Sequence, residues 1–272
     1  MDMRRVIAGV IVQAEAGSAW DGTITGMSFN QSFSITSQDD RPTGIYFKPD
    51  GTKMYLMGFR NDKIHQYSLS TAWDVSTASY DSKSFTATAG YPRGVWISSD
   101  GTKVFYTEVN NDRIYRADMS TAWDISTASA HSSADISAQS TTSRGAYLSA
   151  DGTKVYISDL NDDLYQYSMS TAFDLSTLSY VRTKSLTASN THPYGIWANS
   201  DGDQFYIVDT DNAQVERWSL STAWDISTMS IQETVTISAS SPGARGLYIE
   251  PDEKKLYVVC DTDDTVDEWD LP

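Results

Sequence analysis

One phrase recurs five times along this chain. Gly44-Ile45-Tyr46, Gly94-Val95-Trp96, Gly145-Ala146-Tyr147, Gly195-Ile196-Trp197 and Gly246-Leu247-Tyr248 stand 50 or 51 residues apart. A fixed period constrains a fold more than any local propensity, because each unit must bury its apolar face against the next. Each phrase leads into a turn: Asp50-Gly51, Asp100-Gly101, Asp151-Gly152, Asp201-Gly202 and the degenerate Asp252-Glu253. Asp-Gly between two short apolar runs is a hairpin signal. A second aromatic-bearing run follows (Tyr55, Phe105, Tyr156, Tyr206, Tyr257), then a polar tip such as Asn61-Asp62, then a third run ending at Tyr67, Ala117, Tyr167, Trp218 or Trp269. A longer connection, Ser70-Thr71-Ala72-Trp73-Asp74, returns at 120–124, at 170–174 with Phe173 for Trp, and at 221–225, before a fourth alternating run. Four short antiparallel strands in about 50 residues make one propeller blade, whereas solenoid repeats of that length are helical and nothing here has a 3.6 period. The pattern predicts an all-β chain, a single five-bladed β-propeller of four-stranded antiparallel blades.

The ends predict how the ring closes. The fifth unit stops after three strands, at Glu268-Trp269-Asp270-Leu271-Pro272. The missing piece lies at the other terminus: Ser18-Ala19-Trp20-Asp21 matches the long connection, and Met27 to Ile35 alternates like a fourth strand. The N-terminal strand is therefore expected to pair with Val266–Leu271, which removes an exposed sheet edge. On this reading the propeller spans 18–272, its blade repeats start near 41, 92, 143, 193 and 244, and residues 18–40 complete the last blade. Residues 1–17 form an arm whose β-branched stretch Val6–Val12 is expected to pack on the domain or on a neighbouring chain. Arg4-Arg5 before that stretch and Ala14-Glu15-Ala16 after it give the alternative reading of a secretion signal.

Composition narrows the functional classes. With 20 basic and 36 acidic residues the net charge is −16, so nucleic acid and anionic lipid are repelled. The single cysteine, Cys260, excludes an intrachain disulfide and a thiolate zinc cluster. No run of 18 apolar residues is present to insert as a membrane-spanning helix.

Lys48-Pro49-Asp50-Gly51-Thr52-Lys53-Met54-Tyr55 and its copies resemble YVTN and WD-like propeller repeats, with their apolar strand, Pro/Ser-Asp-Gly turn and Tyr-bearing strand. The longer phrase from Tyr67 to Tyr80 is similar to repeats of bacteriophage virion and bacterial surface proteins. The resemblance covers residues 18–272 and implies a virion or cell-surface location; it brings no catalytic residue with it.

In a propeller the first strand of each blade lines the channel, and the strand-two to strand-three hairpins share one mouth with the loops entering that first strand. The near-identical Trp-Asp loops on the other face are expected to be architectural, with Trp73 and its equivalents wedged between blades and Ser70 and Asp74 capping turns. The alternative is a ring of aromatic sugar sites, as in a lectin. The hairpin-tip mouth varies instead. Thr43, Arg93, Arg144, Tyr194 and Arg245 precede the inner glycines, and Gly58, Glu108, Asp159, Asp209 and Cys260 stand eight residues after the turn aspartates. Arg93 with Glu108 and Arg144 with Asp159 are expected to form structural ion pairs between adjacent strands. The sharper reading is a channel mouth that binds a carbohydrate, a peptide end or an anion through Arg245, whose acid partner is replaced by Cys260.

No cofactor is expected. Calcium is the one metal to weigh, at Asp261, Asp263, Asp264 and Asp267 or at Asp209 and Asp211, although the EF-hand spacing is absent. A glycoside hydrolase would set Glu108, Asp159 and Asp209 around the axis, but residues at equivalent positions do not give the dissimilar environments an acid and a base require. His65, His131 and His192 occupy non-equivalent positions, and only His192 lies near the mouth. Cys260 reads as a small buried hydrophobe. The chain is thus read as a non-enzymatic structural or binding module, a virion tail or capsid decoration or a cell-surface protein. Its expected partners are other virion or surface proteins, met through residues 1–17, or a host glycan, with no nucleic acid and no membrane insertion; the alternative is a glycan-active enzyme or a lectin.

Overall fold

The computed structural model describes residues 22–88, 90–187 and 192–272, apart from the side chains at 130 and 131. The proposed arm at 1–17, the Ser18–Asp21 match and the His131 side chain lie outside the described residues. Among the described residues twenty strands form five four-stranded antiparallel sheets. β1 (Ser28–Ser34) belongs to the last blade. Blade 1 is β2 (Pro42–Phe47), β3 (Lys53–Gly58), β4 (Lys63–Leu69) and β5 (Ala78–Thr86). Blade 2 is β6 (Pro92–Ile97), β7 (Lys103–Glu108), β8 (Arg113–Met119) and β9 (Ala128–Asp135). Blade 3 is β10 (Ser143–Leu148), β11 (Lys154–Asp159), β12 (Asp163–Met169) and β13 (Leu178–Ser185). Blade 4 is β14 (Pro193–Ala198), β15 (Gln204–Asp209), β16 (Gln214–Leu220) and β17 (Met229–Thr236). Blade 5 is β18 (Ala244–Ile249), β19 (Lys255–Cys260) and β20 (Thr265–Asp270), with β1 as its outermost strand. Phe29 faces Trp269 and Phe33 faces Val266, so the N-terminal strand closes the ring as the sequence pattern predicts.

The innermost strands β2, β6, β10, β14 and β18 touch in ring order. They approach so closely at Gly44, Gly145, Gly195 and Gly246 that a Cβ there would run into the backbone of the next blade. The recurrent glycine of the repeat is therefore the price of a narrow channel waist. Apolar residues of β3, β7, β11, β15 and β19 face the sandwiched spaces between blades and bury Tyr55, Phe105, Tyr156, Tyr206 and Tyr257 completely.

The Trp-Asp loops join the blades. Asp74, Asp124, Asp174 and Asp225 each cap a short 3-10 turn by accepting the backbone N–H of Ser76, Ser126, Ser176 and Ser227. The second cap is Thr77 rather than Ser70: Thr71 N–H donates to Thr77 Oγ1 at 3.1 Å. Trp73 stacks on Tyr248 and Tyr257 of blade 5, Trp123 packs on Tyr55 of blade 1, Phe173 on Trp96 of blade 2, and Trp224 on Tyr147 and Tyr156 of blade 3. Tyr257, Tyr55 and Tyr156 then donate their hydroxyls to the carbonyls of Trp73, Trp123 and Trp224. Where Phe105 has no hydroxyl to give, Arg116 Nη1 reaches the Phe173 carbonyl at 3.0 Å.

Candidate functional site

Two environments lie along the axis, one on each side of the glycine waist. On the Asp-Gly side is a cavity of about 260 Å³ walled by Tyr46, Trp96, Tyr147, Trp197 and Tyr248. A strand alternates faces with period two, so the glycine and the aromatic of each Gly-x-aromatic phrase point to the same side, the channel. That alternation is the signal by which the sequence exposes this aromatic wall, and the site residues chosen from sequence do not include it. Tyr46 packs edge-on against Trp96 at 6.0 Å and against Tyr248 at 5.5 Å. Burial pushes the hydroxyl pKa values of Tyr46, Tyr147 and Tyr248 up, so all three stay neutral phenols.

On the hairpin-tip side the inner strands enter through irregular pairing. The register shifts between Pro42 and Gly44, Arg93 and Trp96, Ser143 and Ala146, Pro193 and Ile196, and Ala244 and Leu247. Bulges of this kind re-aim side chains. They also overturn the expected ion pairs. The cross-strand partner of Glu108 is Pro92, and that of Asp159 is Ser143, one residue before the arginine in each case. With this offset neither acid forms an ion pair with its arginine, although the Asp159 charge still acts on Arg144 from a distance.

The acids serve the hairpin tips instead. Glu108 accepts the backbone N–H groups of Asn110 at 2.6 Å and Asn111 at 2.9 Å. Asp159 accepts from Ser140 Oγ, Thr142 Oγ1 (2.9 Å) and the Asn161 N–H (2.8 Å), and Asp209 from the Asp211 N–H (3.1 Å) and Asn212 Nδ2 (2.5 Å). All three carboxylates are 0% exposed. Blade 1 has Gly58 at this position, and the Asp39 carboxylate, brought in from the preceding loop, lies where a Cβ on Gly58 would sit. Asp39 accepts the N–H groups of Arg41 (2.8 Å) and Asn61 (3.2 Å), and burial pushes its pKa up. In blade 5 Cys260 donates to Asp267 at 3.0 Å, and burial pushes the thiol well above its usual range.

The arginines rest on aromatic rings. Arg93 lies 4.2 Å and Arg41 4.8 Å from the centre of the Phe59 ring. Arg144 lies 5.3 Å and Arg245 4.5 Å from the Tyr194 ring. Arg245 is not left without an acid: Asp261 sits 2.7 Å from its Nη2, a partner from the hairpin tip that equivalence between blades did not reveal. Thr43 shares the ring position with only long contacts, 3.5 Å to the Met57 and Pro92 carbonyls. Arg41, Phe59 and Asp261 are thus members of the mouth at repeat positions whose residue type changes from blade to blade: the backbone N–H of Phe59 bonds the Arg41 carbonyl just as that of Asp261 bonds the Gly243 carbonyl.

Of the carboxylates considered for calcium, Asp209, Asp211, Asp261 and Asp267 are engaged elsewhere, whereas Asp264 Oδ1 is buried without a partner among the described residues. Asp261 faces Arg245 and Arg41, Asp267 accepts from Ser241 and Cys260, and Asp211 meets His192 Nδ1 at 2.6 Å. Among the described residues no group of three His, Cys, Asp or Glu is arranged to hold a metal ion.

No family model matches the chain, and no curated protein does. Solved structures do, at the level of fold. A putative 6-phosphogluconolactonase from Bacteroides uniformis superposes with a TM-score of 0.53 at 16% identity, over 83% of this chain and 65% of that one. A luciferin-regenerating enzyme gives 0.52 at 13% identity, over 90% and 94% of the two chains. The β-propeller domain of Cps50 (Swd1) from Myceliophteria thermophila gives 0.51 at 9% identity, over 90% and 100%. The chain spans less than two thirds of the Bacteroides protein, and 62% and 63% of the length of two other bacterial proteins of similar fold. The neighbours named above carry different functions, so the shared propeller fold assigns no activity.

Proposed function

We propose that this propeller is a non-enzymatic binding module that uses its hairpin-tip mouth as the recognition surface. The observation that supports this reading is how the charged groups are used. Glu108, Asp159 and Asp209, the carboxylates a glycosidase would need around the axis, are fully buried and bound to the amides and hydroxyls of their own hairpins. A hydrolytic pair needs one carboxyl open to substrate and another poised to take or give a proton. The mouth is instead lined by Arg93, Arg144, Tyr194 and Arg245, with Thr43 beside them; all but Arg245 are largely buried, yet the guanidinium groups of Arg93 and Arg144 have no acid within ion-pair distance among the described residues. The resemblance of the repeats to those of virion and bacterial surface proteins favours a virion or exterior surface as the setting, where many copies in an assembly would raise a weak affinity by avidity. Residues 1–17 are the proposed tether to a neighbouring chain, and light scattering of the full chain against one lacking them reads that directly. The half-buried Trp-Asp rings are spent on blade contacts, which favours the mouth over those loops as the binding site.

The test is a panel of neutral and acidic oligosaccharides, scored both for binding and for released reducing ends. Binding without hydrolysis is expected. Turnover of any member that disappears in Asp159→Asn while the fold is retained would establish the enzyme instead.

A further inference from the structure

The guanidinium groups of Arg41, Arg93, Arg144 and Arg245 gather at the hairpin-tip mouth, with the nearly buried Asp261 carboxylate beside two of them. Asp261 serves two of them, 2.7 Å from Arg245 and 3.6 Å from Arg41. Arg93 and Arg144 form no ion pair among the described residues. Each is only 8% exposed, and each makes a single hydrogen bond, from Nη1 to the carbonyl of the residue before it (Pro92 at 3.3 Å, Ser143 at 3.0 Å). The Nε of each is buried with no acceptor. A guanidinium carries five N–H donors, so most of the capacity of both side chains is unused. Burial, with the neighbouring Arg144, Arg245 and Arg41 adding to it, pulls Arg93 down to about 10, which still leaves it charged at neutral pH. The acids behind the mouth, Asp39, Glu108, Asp159 and Asp209, are buried and occupied by hairpin-tip donors.

The fold does not require arginine here. The same ring position is Thr43 in blade 1 and Tyr194 in blade 4, and both blades are complete. A buried charge with an aromatic ring as its chief partner is costly unless something else pairs it. We infer that the mouth binds an oxyanion, a carboxylate, sulfate or phosphate group, free or carried on a sugar, held between Arg93 and Arg144. This deepens the binding-module reading and rests on it. The planar guanidinium fork suits such a group because two N–H bonds can reach two of its oxygens. Phe59 and Tyr194 hold the forks in place, so little side-chain freedom remains to be lost on binding.

The experiment is thermal unfolding of the full chain in phosphate, sulfate, glucuronate, glucose and chloride at matched ionic strength, for wild type, Arg93→Met and Arg144→Met. Wild type is expected to show a saturable rise in Tm with the oxyanions, about 5–10 °C at a hundred times Kd, and none with glucose. Both variants are expected to melt in chloride at or above the wild-type temperature and to lose the oxyanion shift. Glucuronate acting well below the concentrations of phosphate and sulfate identifies a sugar-borne acid; equal potency identifies a free oxyanion. Three results overturn the inference: no oxyanion shift, an equal shift in the variants, or variants already unstable in chloride. A glucose shift equal to that of glucuronate also overturns it, while leaving the binding-module reading in place.

Discussion

Asp159 accepts from three residues and is out of contact with solvent, so its exchange for asparagine puts an N–H₂ group where donors already converge. Asp159→Asn is expected to cost about 2–3 kcal/mol in urea unfolding while leaving mouth binding unchanged. His65 provides a second residue-scale test. It is buried between Asn61 and Tyr80 with no acid beside it, and burial pushes its pKa down to about 4. The unfolded chain, with an ordinary histidine, then holds more protons between pH 6.5 and 4, so this group's stability contribution is full above that window and falls as pH drops through it. Between pH 7 and 4.5 wild type should lose about 2–3 kcal/mol that His65→Gln does not lose. Asp39 and Asp267, whose pKa values burial raises, act in the opposite sense and are common to both proteins. The residue scale is also where sequence reading fell short. Arg93 and Glu108 stand on neighbouring strands, but the bulge and the one-residue offset that part them belong to backbone geometry, which residue types alone do not encode.

At the scale of elements, the Asp-Gly turns and the Trp-Asp loops form one device. A Cβ on Gly51, Gly101, Gly152 or Gly202 would enter the ring of Trp73, Trp123, Phe173 or Trp224, and each of those aromatics itself holds a left-handed φ of 62–67°. In blade 5 the Gly22 carbonyl receives the Tyr206 hydroxyl at 2.8 Å, the bond that the Trp73 carbonyl receives from Tyr257, and Glu253 (φ 55°) takes the place of the turn glycine. Gly202→Ala is expected to destabilise by more than about 2 kcal/mol, since it combines a strained φ with a clash. In a Trp224→Ala background the same change should cost at least about 1 kcal/mol less, a coupling that a double-mutant cycle in denaturant measures. The element scale was the most legible in the sequence. Turn dipeptides, a period of 50 or 51 and strict alternation all point to the same four strands, and β1 pairs with β20 where the missing fourth strand was expected.

Over the whole molecule, closure depends on one strand. β1 covers the outer edge of β20, and Glu233 of blade 4 anchors the chain before it through the N–H groups of Ile24 and Thr25, both at 2.8 Å. A chain lacking residues 1–35 is expected to aggregate or form oligomers in size-exclusion chromatography, and a synthetic 22–36 peptide to restore the monomer by refilling the edge. The closed ring gives the molecule a fixed axis with an apolar aromatic cavity on one side of the waist and an arginine-bearing mouth on the other. The period of the repeat revealed that axis. The use of the two sides was less legible, because it depends on Arg41, Phe59, Asp39 and Asp261, which stand at repeat positions where the residue type changes from blade to blade and so carry no recurrent motif. The most direct measurement is a crystal structure of the full chain soaked with glucuronate. Density for the carboxylate between Arg93 and Arg144, on the hairpin-tip side of the glycine waist, is the expected result. Ligand seated instead at the buried carboxylates or on the Trp-Asp loops would contradict the assignment of the mouth as the binding surface.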